Sequence, residues 1–493
     1  MDDLYKDKPE SIVSINDLEK DLIEKRSNSQ VTANNEQVTI DDFLDTIGLS
    51  KYHYFFFAAV ALIMMHEGSQ LVIVSIVNVI YSDDPTQNQT LISLFGSSLF
   101  IGNLIGSLGG GWFSDSFGRK IPLGCTMGLM YVSALLQFFF DNLGLLIFLR
   151  TMYGVGMGVF GAISFPYLAE IMPRKYRGLF LTLFGGVWTI GGILTALVAL
   201  ALNPTLKKVD WQMLTLIVNQ TALISIVIVF FYAVESPRFS LLVKKDFPAA
   251  RKQLQGMAKK AGKSKSRSLM NDSNYENLEQ WAEEYNAENQ KPGTYLDLFK
   301  SDYLRRTLAF MAAMFLLSFN YYGAVYITPK VYEQENSDSE TISLLYPNFS
   351  ELIAGIGAAL CIELSFFGRK KSVYLGSILG ALASAGTCVL LSMNNTDTFF
   401  WIFSSGTRFF ADFALIILEA FISESYGTRV RGMGIGMALS AGRVASSFMP
   451  FILNFLLDLT QYLPFLLIGG LNILTVFSIY FAPKETRGEK LED

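Results

Sequence analysis

The sequence predicts an all-α membrane protein of about twelve transmembrane helices in two six-helix pseudo-repeats. Three observations lead there. Apolar stretches of about 18 residues or more recur along the chain, each long enough to cross a bilayer as a helix. The composition suits a bilayer: 51% of the 493 residues are hydrophobic and 17% charged, with mean hydropathy +0.35, whereas soluble chains carry about 25% charged residues. A charge pattern also occurs twice. GWFSDSFGRK at 111–120 is followed by EIMPRKYRG at 170–178, and SFFGRKK at 365–371 by ESYGTRVRG at 424–432. Gly118 and Gly368 are 250 positions apart, and Glu170–Glu424 and Arg177–Arg431 are each 254 apart. Unrelated loops would not share that spacing. It implies two similar halves with matching charge clusters on one membrane face, a construction common among secondary transporters.

The elements follow in order. Residues 1–52 form an N-terminal tail, its first 37 positions polar and expected to be disordered. TIDDFLDTIG then reads as a short amphipathic helix. Thr39 can cap it, and Ile40, Phe43, Leu44 and Ile47 share one face, so it is expected to lie on the membrane surface. The first bundle, 53–234, holds spans at 53–80, 91–113, 121–140, 145–169, 179–202 and 212–234. Segment 235–304 is basic and then acidic, a linker whose helices would be solvated. The second bundle, 305–482, holds spans at 305–330, 343–366, 373–393, 398–423, 433–456 and 462–482, and 483–493 is a short tail. No signal peptide is visible, because the first apolar run is too long for a signal h-region.

Basic residues concentrate in the loops on one side, including Arg119, Lys120, Arg174, Arg177, Arg369, Lys370, Arg429 and Arg431, together with the linker. That side is therefore expected to be cytoplasmic, with both termini. Glycosylation sequons at Asn88 and Asn394 fall on the other side, and one at Asn271 falls inside. The net charge of −5 argues against a nucleic-acid partner. Cys125, Cys361 and Cys388 read as small buried residues, and His53 and His66 are not spaced as a metal pair. No cofactor, metal, nucleotide loop or nucleophile constellation is expected, so the chain is not read as an enzyme.

GWFSDSFGRK, RTMYGVGMG at 150–158, ESPRF at 235–239 and PKETRG at 483–488 together resemble the signatures of the major facilitator superfamily. The resemblance covers about residues 39–488 and fits the branch of sugar porters, organic-ion transporters and synaptic-vesicle-2-related proteins. TIDDFLDTIG, SFNYYG at 318–323 and GRVASSFMPF at 442–451 look most like the synaptic-vesicle-2-related and organic-anion group. A Gly before Arg-Lys permits a tight turn, and an Arg from that turn can fork onto the Glu that ends the fourth span of each half. This gives Arg119–Glu170–Arg177 and Arg369–Glu424–Arg431. The resemblance implies that these clusters brace the closed cytoplasmic side and break when it opens. Asp115 has no counterpart at Ser365, so the halves are expected to gate unequally.

Ionisable residues in mid-span are costly, so they mark candidate functional positions. Arg408, Asp412 and Glu419 fall on one face of the tenth span, and Glu67 and Gln70 share a face of the first. The seventh span contributes Asn320, Tyr321 and Tyr322. Arg443 is the most informative; it lies about 15 Å deep in the eleventh span and needs a partner, either a carboxylate such as Glu67 or Asp412 or an anionic substrate. The resemblance implies Arg here for organic anions. Arg408 and Asp412 neutralising each other is the competing reading for that pair. A hexose is not favoured, because the fifth span has no Asn or Gln to match hydroxyls.

The expected function is alternating-access transport of a small organic ion, an anion or carboxylate favoured, with proton coupling as a route. Alternatives are organic-cation or other small-solute transport, and a non-transporting receptor or trafficking protein of the same fold. The expected surroundings are a lipid bilayer, in the plasma membrane or a vesicle membrane, and a monomeric state.

Overall fold

The computed structural model of the chain describes residues 39–82, 88–203, 209–261, 272–288, 295–334, 345–363, 368–393, 398–426 and 430–482. All regular structure among them is helical. A short helix α1 (Ile40–Ile47) precedes the first long helices: α2 (Lys51–Ser82), α3 (Gln89–Phe117), α4 (Lys120–Gln137), α5 (Leu143–Ile171), α6 (Arg174–Leu202) and α7 (Trp211–Tyr232). A π-helical turn (Phe239–Val243), α8 (Phe247–Ala261) and α9 (Asp272–Glu288) follow. The second set is α10 (Ser301–Gln334), α11 (Leu345–Glu363), α12 (Gly368–Ser392), α13 (Thr398–Glu424), α14 (Arg431–Leu459) and α15 (Leu463–Tyr480). Among the described residues, 9 helices are long and apolar enough to cross a membrane. The other three long helices are α4, α11 and α13. α13 carries Arg408, Asp412, Glu419 and Glu424.

The two sets pack alike. In the first, α2 packs on α6 and α7, α5 on α3 and α4, and α4 on α7. In the second, α10 packs on α14 and α15, α13 on α11 and α12, and α12 on α15. Each pairing in one half has its counterpart in the other, which is the pseudo-repeat expected from the duplicated charge pattern. The halves meet along α3–α14, α6–α11 and α2–α10.

Close helix approach is built with glycine. A Cβ on Gly68 would come within 2.0 Å of the Trp188 carbonyl oxygen, and one on Gly191 within 1.9 Å of that of Met65. Ser69 Oγ bonds the Gly191 carbonyl at 3.0 Å across the same seam. Small residues thus let α2 and α6 touch backbone to backbone.

Three expectations need correction. The apolar face of α1 is covered by protein rather than turned to a bilayer: Ile40, Phe43, Leu44 and Ile47 are all buried, and Phe43 stacks on Tyr275 of α9 at 5.3 Å. The linker helices are not fully solvated, since Ala250, Leu254 and Met257 of α8 and Leu278 and Ala282 of α9 are buried. Their apolar sides cover α1 and the underside of the first half. Cys125 is exposed on α4 rather than buried, while Cys361 and Cys388 are partly buried.

Candidate functional site

Three groups of polar side chains stand out: the duplicated loops on the basic face, a hydrogen-bonded cluster toward the opposite face, and the mid-helix charges between them.

At the first loop, Gly118 adopts φ +95°, a conformation that favours glycine, and a Cβ there would meet the Glu235 carboxylate at 2.5 Å. Glu235, from the ESPRF stretch, accepts the backbone N–H of Arg119 at 2.7 Å and of Lys120 at 3.3 Å. A carboxylate so placed caps the N-terminus of α4 and matches its dipole. Arg119 forks onto Glu170 through Nε at 3.4 Å and Nη2 at 3.2 Å, and also bonds Ser114 Oγ. In the second loop Gly368 has φ +64°, and Arg369 Nη2 donates to Glu424 at 2.8 Å. The side chains of Asp115 and Arg431 lie outside the described residues.

Arg177 does not join Glu170. Its Nη2 reaches Asp41 of α1 at 2.7 Å, and Asp41 also takes Arg238 at 2.6 Å and Arg174 at 3.3 Å. Arg177 lies close to Glu170 in the sequence, but α1 folds beneath that turn and Asp41 takes the guanidinium. Burial pushes the Asp41 carboxyl up, but the Arg238 and Arg177 guanidiniums outweigh it and hold it below the ordinary carboxylate range. The Arg119–Glu170 and Arg369–Glu424 pairs each lie within one half.

The bridging bonds lie toward the opposite face. Tyr326 Oη donates to Asn78 at 2.9 Å, and Asn454 Nδ2 donates to Ser93 at 2.8 Å and to Tyr326 at 3.0 Å. Lys330 Nζ donates to the side-chain Oδ1 of Asn454 at 2.9 Å, and Ser75 Oγ donates to the Val325 backbone carbonyl at 3.2 Å. Asn78, Ser93, Tyr326, Lys330 and Asn454 are all buried. Nothing in the sequence had singled out Lys330, although an ionisable residue within an apolar span was the signal.

Between the two levels lie the mid-helix charges. Arg443, partly exposed, donates to the Tyr322 hydroxyl at 2.6 Å, and its guanidinium sits 5.6 Å from that ring's centroid. Among the described residues it makes no ion pair. Glu419 and Glu67 are the carboxylates in electrostatic reach of it; Glu419 is exposed and Glu67 buried. Glu67 Oε1 and both amide atoms of Gln70 and of Asn320 are buried with no hydrogen-bond partner. Such groups are costly unless something bonds them. Arg408 does not pair with Asp412. It turns to Glu351 on α11, with Nε at 2.8 Å from Oε1 and Nη2 on the same oxygen. Glu351 was missed by sequence reasoning. Asp412 remains in electrostatic reach of Glu351, Arg408 and Glu419. Tyr321, stacked edge-on against Tyr322, faces the Glu351–Arg408 pair. Arg150 is fully buried, holding Gln137 and the Gln70 carbonyl at 3.2 and 3.0 Å, which ties α5 to α4 and α2.

A small cavity of about 10 Å³, room for about one water molecule, lies where the halves meet. Trp188 and Thr189 line it from the first half, and Tyr321, Asn348, Glu351 and Arg408 from the second. It sets polar and charged walls between two helix bundles, with no clustered metal ligands among the described residues.

Comparison with known proteins agrees with this architecture. Residues 49–493 match the family described as "Sugar (and other) transporter". The chain is 23% identical to the synaptic vesicle 2-related protein of Rattus norvegicus, over 92% of this chain and 82% of that one. It is 25% identical to the inner membrane metabolite transport protein YdjE of Escherichia coli, over 91% of this chain and 97% of that one. A partially occluded, inward-open structure of the xylose transporter XylE from E. coli superposes with TM-score 0.70 at 15% identity, covering 88% of this chain and 100% of that one. The fold, the twelve-helix duplication and the family match over nearly the whole chain agree: the protein is a membrane transporter of the major facilitator superfamily, belonging to its sugar (and other) transporter family.

Proposed function

We propose that this chain is a secondary active transporter of a small organic anion, working by alternating access and coupled to protons. The observation that carries this reading is Arg443: a mid-helix guanidinium bonded to a phenol, with carboxylates near it but no ion pair among the described residues. A cation held that way is ready for an anion, and Glu67 and Glu419 supply the proton-exchanging groups beside it. The polar cluster around Asn454 favours closure toward the opposite face in this conformation, and rocking of 53–234 against 305–482 about the cavity would expose it alternately. The basic face is assigned to the cytoplasm by its Lys and Arg content, with the linker 235–304 and both termini on the same side, in a plasma or vesicle membrane.

Uptake into proteoliposomes of a panel of organic anions and cations, at two pH values, tests the reading. Arg443→Ala is expected to abolish anion uptake while the protein stays folded. Uptake retained in full by Arg443→Ala would rule the assignment out. The exposure of Glu419 favours a second reading, transport of an organic cation drawn by Glu67, Asp412 and Glu419. Stabilisation by cations alone would select it.

A further inference from the structure

The Glu351–Arg408 pair forms part of the cavity wall, yet Arg443 does not line that cavity. Both partners are about 2% exposed. A buried ion pair is a poor stabilising device, because the desolvation of two charges consumes most of their attraction, and an apolar pair of similar volume would serve as well. Its position at the junction of the halves points to binding instead. Arg408 presents two N–H groups to a single carboxylate oxygen, the fork that guanidinium offers any carboxylate.

A ligand carboxylate can take that fork only if Glu351 gives it up. The groups facing Glu351 make this conditional on a proton. From α13 come Arg408 and Asp412, and from α10 comes the Tyr321 phenol. The cavity walls from α2 and α6 carry no charged side chain among the described residues. A second anion beside Glu351 and Asp412, with Arg408 the one cation lining the cavity among the described residues, would be strongly repelled. With a proton bound to its carboxylate, Glu351 becomes neutral and releases the guanidinium, and the ligand anion restores the pair. One anion and one proton enter, and the net charge of the pocket does not change.

From this geometry we infer that the pocket is an anion-binding position distinct from Arg443, that it takes a small monocarboxylate together with one proton, and that Glu351 is the seat of the proton. The inference rests on the transporter reading above and deepens it. In this conformation the cavity has room for about one water molecule, so a carboxylate enters it only as the halves part. Trp188 and Tyr321 on its walls suit a flat acyl body.

The test uses the purified full chain and benzoate, with benzamide as its uncharged counterpart. Binding is followed by calorimetry at about pH 5.5 and about pH 7.5. Wild type is expected to bind benzoate but not benzamide, and more tightly at the lower pH, up to about tenfold per unit for one linked proton. Glu351→Gln should bind benzoate with an affinity that no longer changes with pH. Because that variant leaves Arg408 without its carboxylate, the double variant Glu351→Gln/Arg408→Gln serves as a fold-preserving control and should lose benzoate binding. Wild-type pH dependence surviving in Glu351→Gln, or full binding in the double variant, overturns the inference and leaves the Arg443 reading intact. Equal binding of benzamide also overturns it. If neither benzoate nor any member of the anion panel binds at either pH, the anion-transport reading falls with it.

Discussion

Replacing Asp41 with asparagine removes the anion on which three guanidiniums converge beneath the first half. Of the three contacts, that to Arg174 counts for little, because Arg174 is 50% exposed and its nitrogen stands 3.3 Å away. Those to Arg177 and Arg238 are shorter, at 2.7 and 2.6 Å, with Asp41 itself 18% exposed. Allowing about 1 kcal/mol for each of these two half-screened pairs, the loss is about 2 kcal/mol, or about 30-fold in the docking equilibrium of α1. The four apolar side chains of α1 bury more than this, at up to about 1.5–3 kcal/mol each. Asp41→Asn should therefore loosen the helix without releasing it, whereas Phe43→Ala, at about 3 kcal/mol or more, should act more strongly.

The assay is hydrogen–deuterium exchange in lipid nanodiscs near neutral pH. Amides of 40–47 should exchange about 30-fold faster in Asp41→Asn, with the long helices unchanged. The Asp41 carboxyl titrates below its ordinary 3.8 when folded. Its contribution is thus complete above the unfolded value and is lost only as pH falls through the lower folded one. Between about pH 5 and about pH 8 the docking should be flat with pH. Exchange that ignores Asp41→Asn and instead follows the anionic lipid content would refute the reasoning, because a helix lying on the bilayer behaves that way.

Two further outcomes are expected. Asn454→Leu removes hydrogen bonds to Lys330, Ser93 and Tyr326, at about 1 kcal/mol each, so a cysteine introduced at Ser75 should react about tenfold or more faster with an impermeant thiol reagent from the opposite face. Gly68→Ala drives a Cβ against the Trp188 carbonyl, and should lower thermal stability by about 1–3 kcal/mol and impair ligand binding, since both residues border the cavity.

The long helices were legible because span length and hydropathy follow directly from bilayer thickness. The spans read at 53–80 and 398–423 are Lys51–Ser82 and Thr398–Glu424. The halves were legible from one repeated spacing. Partners were not, because they depend on packing between helices. Asp412 is the obvious companion of Arg408 along one helix, yet Glu351 arrives from α11 and takes the guanidinium. Glu351 sits near the start of its helix, where a charge passes for a headgroup contact. The pattern of α1 revealed an apolar face but not what covers it, and Tyr275 lies in a stretch whose polarity suggested open solvent.

Lys330 has a consequence in the kinetics of capture. While the halves are joined, its ammonium is buried against Asn454 and the Tyr326 ring. Once they part on that side, the ammonium gives up these contacts and meets the aqueous mouth, where its charge adds to the local field that an incoming ion meets before it reaches the cavity. The capture rate from that side should then fall as ionic strength rises, over the range where the screening length shrinks from about 30 Å toward about 8 Å, while the affinity of the enclosed pocket changes little.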